Sequence, residues 1–490
     1  MSEAIVKAKR RLIEAKGENT KEATPGAGMA LTEPTLSTRP GLAMVDSLID
    51  ECDQVNLWDD TAVIDLLHRT QRALKIFITR TDLNAELMEV LDAAQDKSWA
   101  EKPLLGVDGQ KVKMVARQLF EASKVKSGDK IVIYATGIGR EIVEELVRIC
   151  YANHVDFEFD IYDEGRDAAF INSLDEVNLA KLATFKLSRY ENVTCQIMVR
   201  AEPAVKPKFD RVKIWEKLIS SIRKRCMEGG KKRPMNFTIT SVPTQREADI
   251  DGVPYQDSLN EYLEAFDQPR EEIYKAHEIL IEKLNAGKFL RFINNDGTNL
   301  TMEITGQTFA NSVRDKNLPG TEVFSAPLKE SVHGKFVAKG KFEYKTTGII
   351  EDIELHFENG RVVSFKAATP EQTAALGSII TGDDGKGEGS RYVGEIGFGT
   401  TPGLKRHTIN RILVEKLSRS FHIALGDCYG DKEWERFPVN LSNGNSSSTG
   451  THWDLTVMLG GKEGQIYLDG ELIQDDGKWL IPGCEVLNGG

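Results

Sequence analysis

The chain has 490 residues and no apolar run near the roughly 18 needed to cross a bilayer, so no membrane partner is expected. Its N-terminus, MSEAIVKAKRRLIEAK, is charged and lacks the apolar segment of a secretory leader, and a cytoplasmic location is expected. Cysteine is sparse: Cys52, Cys150, Cys195, Cys226, Cys428 and Cys484 are widely spaced, with no CxxC pair. That excludes a zinc ribbon and a disulfide framework, and the six read as reduced thiols. Positive charge is also short: the net charge is −12 and the pI about 5.4. A nucleic-acid binder would normally show a basic face, so no nucleic-acid partner is expected. No GxSxG, P-loop or HExxH motif is present, which removes local support for a serine or cysteine nucleophile. The turn ATGIGREI approaches a dinucleotide fingerprint through Gly137 and Gly139, but Ile142 stands at its third position. It reads as a tight strand-to-helix turn.

What remains is an ordinary globular composition, 40% hydrophobic and 28% charged, long enough for two to four domains. Residues 1–41 begin as a basic amphipathic stretch, turn rich in Thr, Pro, Gly and Ser, and read as a flexible arm. Helical spacing follows at 61–77 and 82–95. From about 112, helix, strand, helix and strand alternate, which predicts a mostly parallel sheet with helices packed on it. The helix at 271–287 stops at Gly287. Residues 42–287 thus form an α/β domain with a helical N-terminal extension. Beyond 288, short strands meet at Asn-Gly and Asp-Gly pairs such as Asn359-Gly360, Asp469-Gly470 and Asp476-Gly477. Residues 288–490 are predicted to be a mainly antiparallel, β-rich domain with one helix near 406–419. SNGNSSSTG, 442–450, reads as a flexible loop.

The chemistry gathers in that second domain. In THWDLTVMLGG, His452 and Asp454 stand two apart in a strand and so share a face. A buried carboxylate is costly unless paired or coordinated. GEIGFGT sets Glu395 between glycines, NLPGTEVFSAP sets Glu322 before an apolar run, and His422 heads FHIALGDCYG. The other histidines lie mostly among charged residues and call for no special role. A divalent metal site explains these isolated polar groups together. Carboxylates and imidazoles without thiolate suit Zn, Co, Mn or Fe(II), and two glutamates leave room for two ions sharing a carboxylate. The plain alternative is a set of polar edge residues that prevents aggregation.

Those four blocks, in that order, resemble the thermophilic metalloprotease family, the aminopeptidase T and aminopeptidase S group. VKSGDKIVIYATGIGREIVEELVRICYANHVDFEFDI and NNDGTNLTMEITG also resemble it, and the likeness covers about 112–475. The resemblance implies metal ligands at Glu322, Glu395, His422, Tyr429, His452 and Asp454. It also implies ligand or general-base roles for Glu322 and Glu395, two divalent ions, short peptide substrates and a homodimer. LVEKLSRSF, 413–421, departs from the acidic, Asn-containing run usual in the family, and the 431–450 loop is peculiar to this chain. Two rivals remain. His422, His452 and Asp454 would suit a mononuclear Fe(II) ring-cleaving dioxygenase, a related fold. A non-peptidase metal-binding or scaffold protein is the other.

Overall fold

The computed structural model describes residues 108–136, 140–162, 193–201 and 235–489, the last with brief breaks at 315, 345–346, 382–387, 431, 436 and 448–450. Shorter described stretches lie before 108 and at 175–184. Met1–Gly109 and Gln110–Gly490 are two compact units. In the first, the described pieces at 5–14 and 48–54 are helical, and Ile5, Ala8 and Leu12 are buried. The helix expected at 82–95, most of the one at 61–77 and the turn at 137–139 lie outside the described residues.

The second unit begins with a parallel sheet. Its strands are β1 (Lys130–Thr136), β2 (Asp156–Tyr162), β3 (Cys195–Arg200), β4 (Asn236–Ser241) and, at the edge, β8 (Lys316–Asn317), in the order β2-β1-β3-β4-β8. Ile131, Val132, Ile133 and Ala135 of β1 are buried, as a sheet covered by helices requires. Helices Gly109–Ser123 and Arg140–Ala152 bury one apolar stripe each, Val112, Val115, Ala116 and Leu119 in the first and Ile142, Leu146 and Val147 in the second.

Two antiparallel sheets follow. The larger comprises β5 (Phe289–Ile293), β6 (Asn299–Glu303), β10 (His333–Tyr344), β11 (Gly348–Glu358), β12 (Arg361–Lys366), β18 (Gln465–Leu468), β19 (Glu471–Asp475) and β20 (Lys478–Trp479). The smaller is built from β7 (Ala310–Ser312), β9 (Glu322–Ser325), β13 (Val393–Gly399), β14 (Ser420–Gly426) and β17 (His452–Met458), in the order β17-β14-β13-β9-β7, and β15 (Glu433–Trp434) and β16 (Phe437–Pro438) form a separate pair. The parallel sheet followed by antiparallel sheets is the predicted α+β arrangement. Asn359, Gly360, Asp469, Gly470, Asp476 and Gly477 all have positive φ, the requirement of the tight hairpins read from their sequence.

Aromatic residues join the two antiparallel sheets. Phe292 of β5 stacks on Phe421 of β14 with ring centroids 4.2 Å apart, and Phe336 of β10 meets Phe421 edge-on at 6.1 Å. Phe398 of β13 lies 6.2 Å from Phe292. Each buried phenylalanine contributes about 2–3 kcal/mol. Strand alternation then turns the neighbours of these residues, Gly397 and His422 among them, to the opposite face.

Two expectations change. The segment 406–419 is not an α-helix: it holds turns and a single 3-10 turn at Val414–Lys416. Ile409, Leu413, Val414 and Leu417 are buried, which gave the sequence its helical spacing. Asn410 breaks the pattern, because its side-chain oxygen accepts from the backbone N–H of Ile412 at 3.2 Å and Leu413 at 3.3 Å. The α-helix of this region is instead Pro370–Thr381, with proline at its first position and the Thr369 hydroxyl accepting from Gln372 N–H at 3.2 Å. The stretch 442–447 is held rather than flexible. Asn443 donates to the carbonyls of Pro327 and Val393 at 2.9 and 2.8 Å, and Asn445 donates to those of Gly389 and Gly426 at 2.8 and 2.5 Å.

Candidate metal centre

Register places the candidate residues on one face of the smaller sheet. Gly399 of β13 pairs with Glu322 of β9, and Gly397 pairs with His422 of β14. Ala424 of β14 lies between Glu395 and Asp454, and Gly426 faces His452. Glycine and alanine thus alternate with the large polar side chains and leave them room. Gly397 shows the need most directly: a Cβ there would sit 2.2 Å from Cε1 of His422, so the imidazole occupies the space a side chain would take. On the reverse face of β17, Trp453, Leu455 and Val457 are buried.

The side chains form two groups that meet at one carboxylate. Glu322, Glu395 and His422 offer ligand atoms within 4.8 Å of one another, and so do Glu395, His452 and Asp454. His422 Nε2 is 3.2 Å from Glu395 Oε1 and 3.5 Å from Glu322 Oε2. His452 Nε2 is 3.4 Å from Glu395 Oε2 and 3.7 Å from Asp454 Oδ1. Nδ1 of His452 donates to the Asp427 carbonyl at 2.7 Å, which turns Nε2 toward Glu395 and Asp454. Tyr429 borders the cage, its ring 5.2 Å from Phe324 and 5.8 Å from the His452 ring.

The sequence reading passed over two more residues here. Glu415 and Lys416 are buried beside the cage. The Lys416 ammonium pairs with Glu322 Oε1 and, at 2.6 Å, with Glu415 Oε1. Its stem crosses Gly320, where a Cβ would lie 2.2 Å from Lys416 Cγ. Asn317 donates to the same Glu415 oxygen at 3.3 Å. The signal was present in the sequence as a Glu-Lys pair inside an otherwise apolar run, LVEKL.

Four carboxylates and two imidazoles in so small a space disturb one another. Burial pushes the Glu322 carboxyl up to about 7, against the pull of Lys416. Burial and the neighbouring Glu415 hold Asp454 well above the usual carboxylate range. Burial opposes ionisation of Glu395 as well, but the hydrogen bond from His422 and the nearby His452 imidazole hold it well below its ordinary value. Burial and the surrounding carboxylates raise the Tyr429 phenol. Lys416 keeps its charge despite burial because Glu322 and Glu415 flank it.

These residues fit a divalent ion. Glu322 Oε2, Glu395 Oε2, Asp454 Oδ1 and His422 Nδ1 are buried without a hydrogen-bond partner, and three of the four are carboxylate oxygens of the two groups. Oxygen and nitrogen donors without thiolate suit Zn, Co, Mn or Fe(II).

The sequence profile of the thermophilic metalloprotease (M29) family matches residues 109–479. The chain belongs to this family. Aminopeptidase AmpS of Bacillus subtilis is 32% identical to this chain over 201 residues, 37% of this chain and 45% of that relative. The chain therefore matches less than half the length of AmpS. The structure of wild-type AmpT from Thermus thermophilus covers 76% of this chain and 100% of AmpT, with a TM-score of 0.61 and 20% identity, and shows the same fold. A 2,5-dihydroxypyridine dioxygenase from Pseudomonas putida aligns over 77% of this chain and 99% of its own, at 13% identity and a TM-score of 0.48. Among the described residues, no helix is long and apolar enough to cross a membrane.

Proposed function

We propose that the chain is a metal-dependent aminopeptidase that removes N-terminal residues from short peptides at a two-metal site. The observation that carries this reading is Glu395, whose two oxygens face different histidines and which belongs to both ligand groups. Glu322, Glu395 and His422 would hold one ion, Glu395, His452 and Asp454 the other, with Tyr429 at the margin. Charge supports two: with all four ionised, Glu322, Glu395, Glu415 and Asp454 against the single ammonium of Lys416 would carry more negative charge than one divalent ion neutralises. When bound, such ions supply Lewis-acid polarisation of a carbonyl and acidify a neighbouring water.

The chain's own residues do the rest. His422 and His452 fix the orientation of Glu395 from two sides. Lys416 holds one oxygen of Glu322 and leaves the other turned into the cage. Glu322 and Glu395 supply ligation and general-base capacity, and of the two Glu322, pushed up to about 7 by burial, lies where a carboxylate accepts and returns a proton most effectively. A cytoplasmic homodimer completes the proposal. A single Fe(II) held by His422, His452 and Asp454 is less well supported, because both ligand groups among the described residues include Glu395.

The test is metal content together with a screen of aminoacyl p-nitroanilides, for wild type and Glu395→Ala. Two equivalents in the wild type, at most one in the variant, and hydrolysis reduced at least 10³-fold is the expected result, of the order seen when an essential catalytic group is removed. One equivalent of iron, O₂ uptake and no hydrolysis would overturn it.

A further inference from the structure

A second buried polar chain runs behind the cage. His277 lies in helix Arg270–Ala286, on the buried stripe of Ile273, Ala276, Leu280 and Leu284, and is itself fully buried. An apolar residue would fill that position as well, so the imidazole calls for a reason. Its Nδ1 is 2.9 Å from Asn311 Oδ1, and its Nε2 is 2.8 Å from Thr400 Oγ1. The Asn311 amide already donates to the Tyr274 carbonyl at 3.1 Å, so its oxygen is the acceptor toward His277. That fixes the proton on Nδ1 and makes Nε2 the acceptor of the Thr400 hydroxyl proton. Thr400 Oγ1 also lies 3.0 Å from Thr321 Oγ1, which carries the chain from the imidazole to a second hydroxyl.

Thr321 precedes Glu322, and Thr400 follows Gly399, the residue that pairs with Glu322. The same junction is tied by Thr400 N–H to the Thr321 carbonyl at 3.0 Å and by Thr321 N–H to the Thr401 hydroxyl at 2.8 Å. The tautomer of His277 therefore orients a hydroxyl pair at the root of Glu322. Lys416 restrains the carboxylate end of the same residue. Glu322 is thus held at both ends by groups that are not ligands.

We infer that His277 is a positioning residue of the metal centre, which sets the placement of Glu322 through Thr400 and Thr321. The inference rests on the reading of Glu322 as a ligand. Partners of this kind typically change metal affinity by about 10–100-fold when removed.

The test uses full-length protein stripped of metal and titrated with Co(II) alone, reading the dissociation constant and the d–d absorption. The variants are Thr400→Val, Thr400→Ser, His277→Phe and Glu322→Gln. The expected result is at least about tenfold weaker binding and an altered band for Thr400→Val and His277→Phe, with Thr400→Ser restored to wild type because it keeps the hydroxyl. If Thr400→Val lowers the melting temperature but keeps wild-type affinity and spectrum, the chain only supports the fold and the inference is overturned. Should His277→Phe fail to fold, the Thr400 pair decides alone. If Glu322→Gln binds Co(II) as the wild type does, Glu322 is not a ligand and both readings fall. Weakened binding by Glu322→Gln with wild-type behaviour of Thr400→Val overturns the positioning role alone.

Discussion

Two buried polar clusters lie within one sheet of each other and are built on opposite terms. Around His277, each described link ends on a donor or acceptor, from the Tyr274 carbonyl through Asn311, His277 and Thr400 to Thr321. Around Glu395, four polar atoms have no partner, and carboxylates crowd against one another. A satisfied network stands by itself in a low-dielectric interior, whereas an unsatisfied one carries a penalty until something fills it. The first cluster needs no further component. The second has the composition and the unpartnered oxygen atoms of a cation site. Burial alone does not separate the two; the state of the hydrogen bonds does.

Lys416 gives the sharpest way to break that contrast. It is the one cation of the described residues at the cage, and it neutralises two buried carboxylates. Lys416→Met keeps the length and packing of the stem and removes the charge. In metal-free protein at about pH 8 the loss should reach about 3–5 kcal/mol, the usual result of stripping one partner from a buried ion pair. Near pH 6 the loss should shrink, because Glu322, pushed up to about 7 by burial, then takes a proton and no longer needs a counter-charge. Urea denaturation of chelator-treated protein at the two pH values reads this directly. Equal stability of wild type and variant at the higher pH would mean that the ion pair contributes nothing to holding the cage.

His277 should respond to pH in the opposite direction. Burial lowers it to about 4 from an ordinary value near 6.5. The unfolded chain therefore takes up a proton at a higher pH than the folded one. Stability from this group is complete above about 6.5 and is lost as pH falls toward 4, by about 3 kcal/mol in all. Denaturation midpoints of wild type and His277→Gln, compared across that range, should show a shallower acid slope in the variant. Parallel slopes would show that His277 is charged in the folded protein.

The sequence made some of this legible and hid the rest for physical reasons. His452 and Asp454 declare themselves because strand period places both on one face, and the structure brings Nε2 and Oδ1 to 3.7 Å. Glu322 and Glu395 stand alone in their strands, so their meeting depends on register across β9, β13 and β14, which only the resemblance supplied. Glu415 and Lys416 were concealed by Ile409, Leu413 and Leu417, whose spacing mimics a helix that Asn410 prevents. The helix at Pro370–Thr381 was readable from Thr369, Pro370 and Gln372, a capping residue, a proline at the first position and a polar third residue. The pattern at 406–419 drew the assignment instead. Gly287 was read as a helix stop, and its reason is contact: its φ is −87°, and a Cβ would lie 2.3 Å from Leu468 Cδ1.

Gly397 offers the smallest and most local change. A single methyl at this position would press on the His422 ring from below, with 2.2 Å to Cε1. The strand backbone accepts alanine here, since Gly397 has no positive φ, so any effect comes from displacement of the imidazole. Overpacking of this size costs about 1–3 kcal/mol when nothing yields. If the ring yields instead, stability is nearly kept and His422 moves off Glu322 and Glu395. Gly397→Ala should therefore lose metal affinity and stability in inverse proportion, the one falling where the other is spared. The rigid phenylalanine layer beneath β13 and β14 prevents the strands from parting, which leaves the imidazole as the softer element. Melting temperature of the stripped protein and Co(II) affinity, measured on the same preparation, separate the two. A variant unchanged in both would mean that His422 does not rest on this glycine in solution.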